Sequence, residues 1–260
     1  MRQGALWLLL CLVGCGGMPG GQRGTSEQAV SQQASTSEAQ QRAKVHTELG
    51  SLYLQSSRFG VAQDEGRAAI AADSGYAPAY NLLGLVHMNL LENAAADENF
   101  RKALNLAPGD PEINNDYGWF LCSTGREAQA VSYFMTAVGN PLYNTPAKPL
   151  TNLGICHLKL KDDGQAEEFL LKALRADSRN IRALYWLADI YYRSNRYSEA
   201  RLAIGDLHKF MEPSAQSTWL ALRIDRKIGD RESEARFTSQ LRRKFPGSPE
   251  YQRLTQGQYE

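Results

Sequence analysis

Three shortages narrow what this chain can be. Cysteine and histidine number only four each in 260 residues, and none falls into zinc-ligand spacing or a His-Glu-x-x-His pair. Charge of one sign is scarce as well. Lys and Arg total 29 against 28 Asp and Glu, and Arg2 is the only charged residue before Cys15, so the remainder is balanced. Nucleic-acid binding needs a basic excess on one face, and nothing here supplies it. The third lack is a bilayer-spanning run: the apolar stretch Ala5 to Val13 has nine residues, against roughly 20 for a transmembrane helix. No serine, cysteine or lysine has an identifiable base partner. Neither catalysis, a metal nor a cofactor is expected.

What is present begins with a targeting signal. Met1-Arg2-Gln3 is a short positive segment ahead of the apolar run, which ends in Leu12-Val13-Gly14-Cys15. That ending resembles a bacterial lipobox, with residues 1–14 as signal peptide and Cys15 as the lipidated residue. The plainer alternative is a secretory signal cut elsewhere; Cys11 is the weaker lipid site because bulky Leu10 precedes it. Gly16 stands where an Asp would suggest inner-membrane retention, so the periplasmic face of the outer membrane is the expected address. The chain is expected to be anchored there, not to span. Residues 15–41 are rich in Gly, Ser, Thr and Gln. They read as a flexible tether holding the folded part on the order of 25–30 Å from the lipid.

Self-similarity then sets the architecture. One frame recurs six times, starting at Ala43, Ala77, Pro111, Ala147, Ile181 and Ser214. Position 8 holds Gly50, Gly84, Gly118 and Gly154, then Ala188 and Ala221. Position 20 holds Ala62, Ala96, Ala130, Ala166 and Ala200, then Ser233. Larger residues such as Leu83, Tyr117, Phe100 and Phe134 flank these places. Two antiparallel helices approach closely only where their crossing is lined by small side chains. Glycine in mid-helix costs about 1 kcal/mol against alanine, so its recurrence marks a packing need. The pattern is tetratricopeptide-like. It predicts an all-α solenoid of six antiparallel helix pairs over 42–252, with 253–260 disordered. Repeat 1 is the poorest match, with Gly66 at position 24, where other repeats carry Phe or an aliphatic residue. Pro141 and Pro146 predict a longer, stiffer loop before repeat 4.

Isolated candidates for chemistry have plain structural readings. His46, His87 and His157 fall at packing positions of the repeat. The pairs Asp97-Glu98, Asp162-Asp163 and Glu167-Glu168 read as solvated faces or turns, and Arg242-Arg243-Lys244 as cations complementing a helix C-terminus. Cys122 and Cys156 lie 34 residues apart, one repeat length, on adjacent first helices. A disulfide is within reach of that geometry and permitted in an exported compartment; two buried free thiols are the alternative. The surface for a partner is expected where first helices line the groove. Leu85, Met88, Trp119, Ile155, Leu158, Tyr185 and Tyr192 occupy nominally exposed positions there, with Asn81, Asn89 and Asn115 among them. Such a mixture suits an amphipathic helix or extended peptide. Cover by neighbouring turns is the alternative reading.

Lipobox, polar tether and six repeats together make up the whole chain. Asn140-Pro141-Leu142-Tyr143-Asn144-Thr145-Pro146 looks like an inter-repeat linker, and Leu241-Arg242-Arg243-Lys244-Phe245-Pro246-Gly247-Ser248-Pro249-Glu250-Tyr251 like a C-terminal signature, of one group. The chain resembles type IV pilus biogenesis/stability lipoproteins of the PilF/PilW type. That resemblance implies a pilotin role: a monomeric scaffold that binds the pilus secretin, with other type IV pilus proteins as further candidate partners, and promotes the secretin's outer-membrane localisation and multimerisation. A lipoprotein adaptor for cell-wall hydrolases or synthases keeps the fold and changes the client.

Overall fold

The computed structural model describes residues 28–259, all helix, turn and loop with no strand among them. Twelve helices form six antiparallel pairs, and a thirteenth closes the end. The pairs are α1 (Glu38–Gln55) with α2 (Phe59–Ala72), α3 (Ala77–Asn89) with α4 (Asn93–Leu106), and α5 (Pro111–Ser123) with α6 (Glu127–Val138). Then come α7 (Ala147–Lys159) with α8 (Asp163–Ala176), α9 (Ile181–Arg193) with α10 (Tyr197–Phe210), and α11 (Ala215–Ile228) with α12 (Arg231–Lys244); α13 is Pro249–Thr255. Each pair packs within itself and against the next, and first helices also touch first helices from α1 through α11. The result is a solenoid with one continuous core. None of these helices is long and apolar enough to cross a membrane.

The crossings obey the small-against-large rule. Ala62, Ala96, Ala130, Ala166 and Ala200 are fully buried. A Cβ built on Gly84 would lie 2.8 Å from the ring of Phe100, one on Gly118 3.0 Å from Phe134, and one on Gly154 2.7 Å from Leu170. Each glycine is thus the floor on which its own repeat's position-24 side chain rests. Repeat 1 solves the problem differently. A Cβ on Gly66 would meet Leu83 at 2.6 Å, and one on Gly50 would meet Leu82 at 2.5 Å. The next repeat fills the space that repeat 1 leaves.

Turns between paired helices share one device. Ser57, Leu91, Gly125, Lys161, Asn195 and Gly229 all have φ between 57° and 88°, one residue per repeat. That left-handed residue ends the first helix and reverses the chain. Ion pairs then tie consecutive repeats on this side: Arg126 to Asp97 at 2.9 Å, Arg196 to Glu167 at 2.7 Å, Arg201 to Asp230 at 2.5 Å.

Two boundaries differ from expectation. The segment taken as free tether through residue 41 is docked from its described start at residue 28. Ala29 is fully buried, and Val30 packs on the cluster of Tyr76 and Ala79. Val30 N–H donates to Asp110 Oδ2 at 2.7 Å, and the Ser31 hydroxyl to Glu112 at 2.6 Å. Asp110 also caps α5 through the N–H groups of Glu112 and Ile113; burial still pushes its carboxyl above the usual range. Asn144 of the Pro-rich loop donates to Gln32, so this strap bridges to the start of repeat 4. Helix α1 accordingly starts at Glu38, capped by Ser37. The other end, expected to be disordered, is ordered through Tyr259. Its ring stacks on Trp219 at 5.7 Å, an aromatic contact that no repeat pattern announces. The signal peptide and Cys15 lie outside the described residues.

Candidate partner-binding face

The first helices α3, α5, α7, α9 and α11 line one face of the solenoid. Two layers of side chains occupy it. The inner layer is polar and joined up. Asn81 donates to Asp116 at 2.9 Å, Asn115 to the other oxygen of Asp116 at 2.9 Å, and Asn152 to Asn115 at 2.9 Å. Lys148 reaches Asp116 at 2.9 Å, and Arg182 donates to Asn152 at 3.1 Å. The ladder crosses four repeats from α3 to α9. Beside it Cys122 and Cys156 are joined by a disulfide between α5 and α7, with Cα atoms 5.9 Å apart.

This layer corrects part of the expected groove. Asn115 is fully buried and Asn81 nearly so; they hold repeats together and present nothing to a partner, while Ile155, largely buried, offers only part of a cleft floor. Asn114, Asn152 and Asp116 are buried with them. The reason is spacing: in repeats 2 and 3 neighbouring first helices pack close enough to cover position 5, whereas Tyr185 at that position of repeat 5 stays half-buried. Arg182 and the ladder were not singled out from sequence. The available signal was asparagine recurring at position 5, in Asn81 and Asn115.

The outer layer is apolar and reachable. Leu85, Met88, Trp119, Leu158, Tyr185 and Tyr192 are half-buried against the core, and Asn89 is exposed, donating back to the Leu85 carbonyl at 2.8 Å. Trp186 joins them, its ring edge-on to Tyr185 at 5.3 Å. Between α7 and α9 opens a cleft of about 570 Å³, floored by Ile155, Leu158 and Trp186 and rimmed by Lys159, Lys161 and the Asp163–Arg193 pair. The Arg182 guanidinium lies 5.2 Å over the Trp119 ring, and burial lowers its pKa from the ordinary value. Burial likewise raises the Tyr185 hydroxyl, with Asp189 adding to it. These are the properties of a binding surface: apolar area, aromatic anchors, a charged rim. Among the described residues no cluster of three or more His, Cys, Asp or Glu could hold a metal.

A tetratricopeptide repeat model matches residues 77–110 and 147–180, and a second one 165–215. The type IV pilus assembly protein PilF of Pseudomonas aeruginosa is 31% identical over 207 residues, covering 80% of this chain and 82% of the relative. The chain belongs to the PilF/PilW family. Solved structures of PilF/PilW proteins have the same shape. That of Pseudomonas aeruginosa PilF matches with a TM-score of 0.78 at 29% identity, over 85% of this chain and all of the other. That of PilW, described as a widely conserved type IV pilus biogenesis factor, matches with 0.76 at 29% identity, over 82% and 98%. Tetratricopeptide repeats and relatives in type IV pilus assembly point to a protein-interaction role.

Proposed function

We propose that this protein is an outer-membrane lipoprotein of type IV pilus biogenesis, anchored through Cys15, whose face binds the pilus secretin. In this reading it promotes secretin localisation and multimerisation by docking alone. The observation that carries it is the row Trp119, Leu158, Tyr185, Trp186 and Tyr192, half-buried apolar side chains along one face, of which Leu158 and Trp186 line an open cleft. Family membership supports the client, and the Cys122–Cys156 disulfide supports an oxidising compartment. The docked strap gives the anchor a geometry. Only residues 16–27 separate Cys15 from Gln28, so the anchor stays within about 47 Å of the strap even at full extension. Binding energy raised by confinement at the bilayer is all that the role requires.

The test is a strain carrying Trp119→Ala together with Trp186→Ala. Secretin multimers and twitching should be lost while the variant accumulates to normal levels and keeps its helicity. Undiminished secretin capture would refute the face. Cys15→Ala should instead release a folded protein into the periplasm, and one that stays in the membrane fraction would refute the anchor.

A further inference from the structure

At the end of the face a second cleft, about 750 Å³, opens between α9, α11 and the C-terminal tail, with Tyr192, Arg223, Arg226, Lys227 and Tyr259 around it. Its chemistry differs from that of the cleft between α7 and α9. Arg223 is held against aromatic rings, its guanidinium carbon 4.6 Å from the centroid of Tyr192 and 5.8 Å from that of Trp219. The Nε of that side chain is buried without a hydrogen-bond partner. Native proteins rarely leave a buried donor so. Neither Arg223 nor Lys227 makes an ion pair among the described residues, whereas Arg193, Arg201, Arg226 and Arg231 on the same helices do. Arg226 covers the Tyr259 ring at 3.9 Å and gives Glu234 one nitrogen. The acids nearby are engaged or enclosed: Asp189 pairs with Arg193 at 2.9 Å, and Glu250 is buried in α13. The tail builds the wall deliberately. Gly257, at φ 70°, ends α13 and turns Tyr259 back onto Trp219.

We infer that this cleft is a carboxylate-binding subsite, taking an Asp or Glu side chain from an acidic segment of the protein that lies along the face. Stacked guanidinium groups keep their planar N–H edge free, and that edge matches a carboxylate bidentately. Aromatic stacking fixes the fork before the ligand arrives, which reduces the ordering cost of binding. Tyr192 belongs both to the apolar row and to this cleft, so an extended segment can fill one and reach the other. The inference rests on the proposed partner face and adds a charge requirement to it.

The probe is a pair of fluorescein-labelled dodecapeptides alternating Leu with Glu or Leu with Gln, titrated onto the full chain in detergent and read by anisotropy. The acidic peptide should bind at least about tenfold tighter at low salt, and the preference should shrink as salt rises. Arg223→Met with Lys227→Gln should abolish the preference while leaving the neutral peptide's affinity unchanged; Met keeps the apolar contact with Tyr192 and Trp219. Arg242→Gln, outside the cleft on α12, should change nothing. Equal binding of the two peptides by the unaltered chain would overturn the subsite alone, and failure of both to bind would overturn the face with it. Glu260 follows Tyr259 and brings a carboxylate of this chain, so Glu260→Gln is titrated alongside. A preference that emerges only in that variant overturns a partner carboxylate as the native ligand. Loss of binding to phosphatidylglycerol vesicles in the double variant, with peptide preference intact, would assign the cleft to lipid and overturn the proposal.

Discussion

Inside each repeat two helices are held by shape; between repeats, on the partner face, they are held by individually placed bonds. The crossing of α3 and α4 needs only Gly84 beneath Phe100 and Ala96 fully enclosed. Any sequence supplying small and large residues at those places would serve. The junction of α5 with α7 instead uses Asn115, Asp116, Asn152, Lys148 and one disulfide, none of them interchangeable with a neighbour. Stacked units bound by apolar surface alone can slide or repack. A polar ladder permits one register, because a shift leaves buried donors and acceptors unpaired. The contrast suits a scaffold whose face must keep a fixed curvature beneath an adaptable apolar row.

Breaking the junction should have the largest effect. Replacing Cys122 and Cys156 together by Ala releases a cross-link across 34 residues, worth about 3–4 kcal/mol in chain entropy. Urea unfolding should show that loss, and the same chain under reducing conditions should show it too. If oxidised and reduced protein unfold together, the bond does not stabilise the junction. Next comes the crossing itself. Gly84→Leu places a side chain where a Cβ alone would sit 2.8 Å from the Phe100 ring; overpacking should cost about 3 kcal/mol. Gly60→Ala is the matched control. It has open space at the Cβ position within α2, so it should be neutral or stabilising by up to about 1 kcal/mol. Equal melting of these two variants would remove the crossing rule.

Asn115→Ala tests the ladder with a smaller expected effect, about 2 kcal/mol, since it strands Asn152 Nδ2 in a buried setting and leaves Asp116 Oδ1 with Lys148 as its one remaining donor. An unchanged melting temperature would make the ladder ornamental. How much of this was legible in sequence follows from the same contrast. Gly50, Gly84, Gly118 and Gly154 recur at one position, and recurrence is visible without coordinates; so the fold and its crossings could be read. Asn81 and Asn115 also recur, yet polar residues at a nominally exposed position suggest solvent or a partner, and only the packing of α3, α5 and α7 shows them enclosed. Trp119, Leu158, Tyr185 and Tyr192 were readable as outward apolar residues. Trp186, Arg182 and Arg223 were not, because each matters through neighbours from another repeat: Ile155 and Leu158 across the cleft, Asn152, and Tyr192 respectively. The strap at Ala29 to Gln32 and the closure of Tyr259 on Trp219 are contacts made once, and no period announces a contact made once.

The turn between paired helices offers the finest test, because the side chain of its left-handed residue takes part in neither the crossing nor the ladder. Leu91 adopts φ 61° and is 82% exposed, so its side chain contributes almost no burial while its Cβ strains a left-handed backbone. Gly125 and Gly229 occupy the corresponding turns without that strain. Leu91→Gly should therefore stabilise the isolated protein by about 0.5–1 kcal/mol, the relief of strain exceeding the added freedom of the unfolded chain. Gly125→Leu should destabilise by a similar amount, and differential scanning calorimetry resolves both signs. A stabilised Leu91→Gly that also loses secretin multimers in the cell would give the exposed leucine a partner contact as its reason for being there. If the substitution destabilises the purified chain instead, the turn is held by something other than backbone conformation, and the shared left-handed residue is a by-product of the repeat.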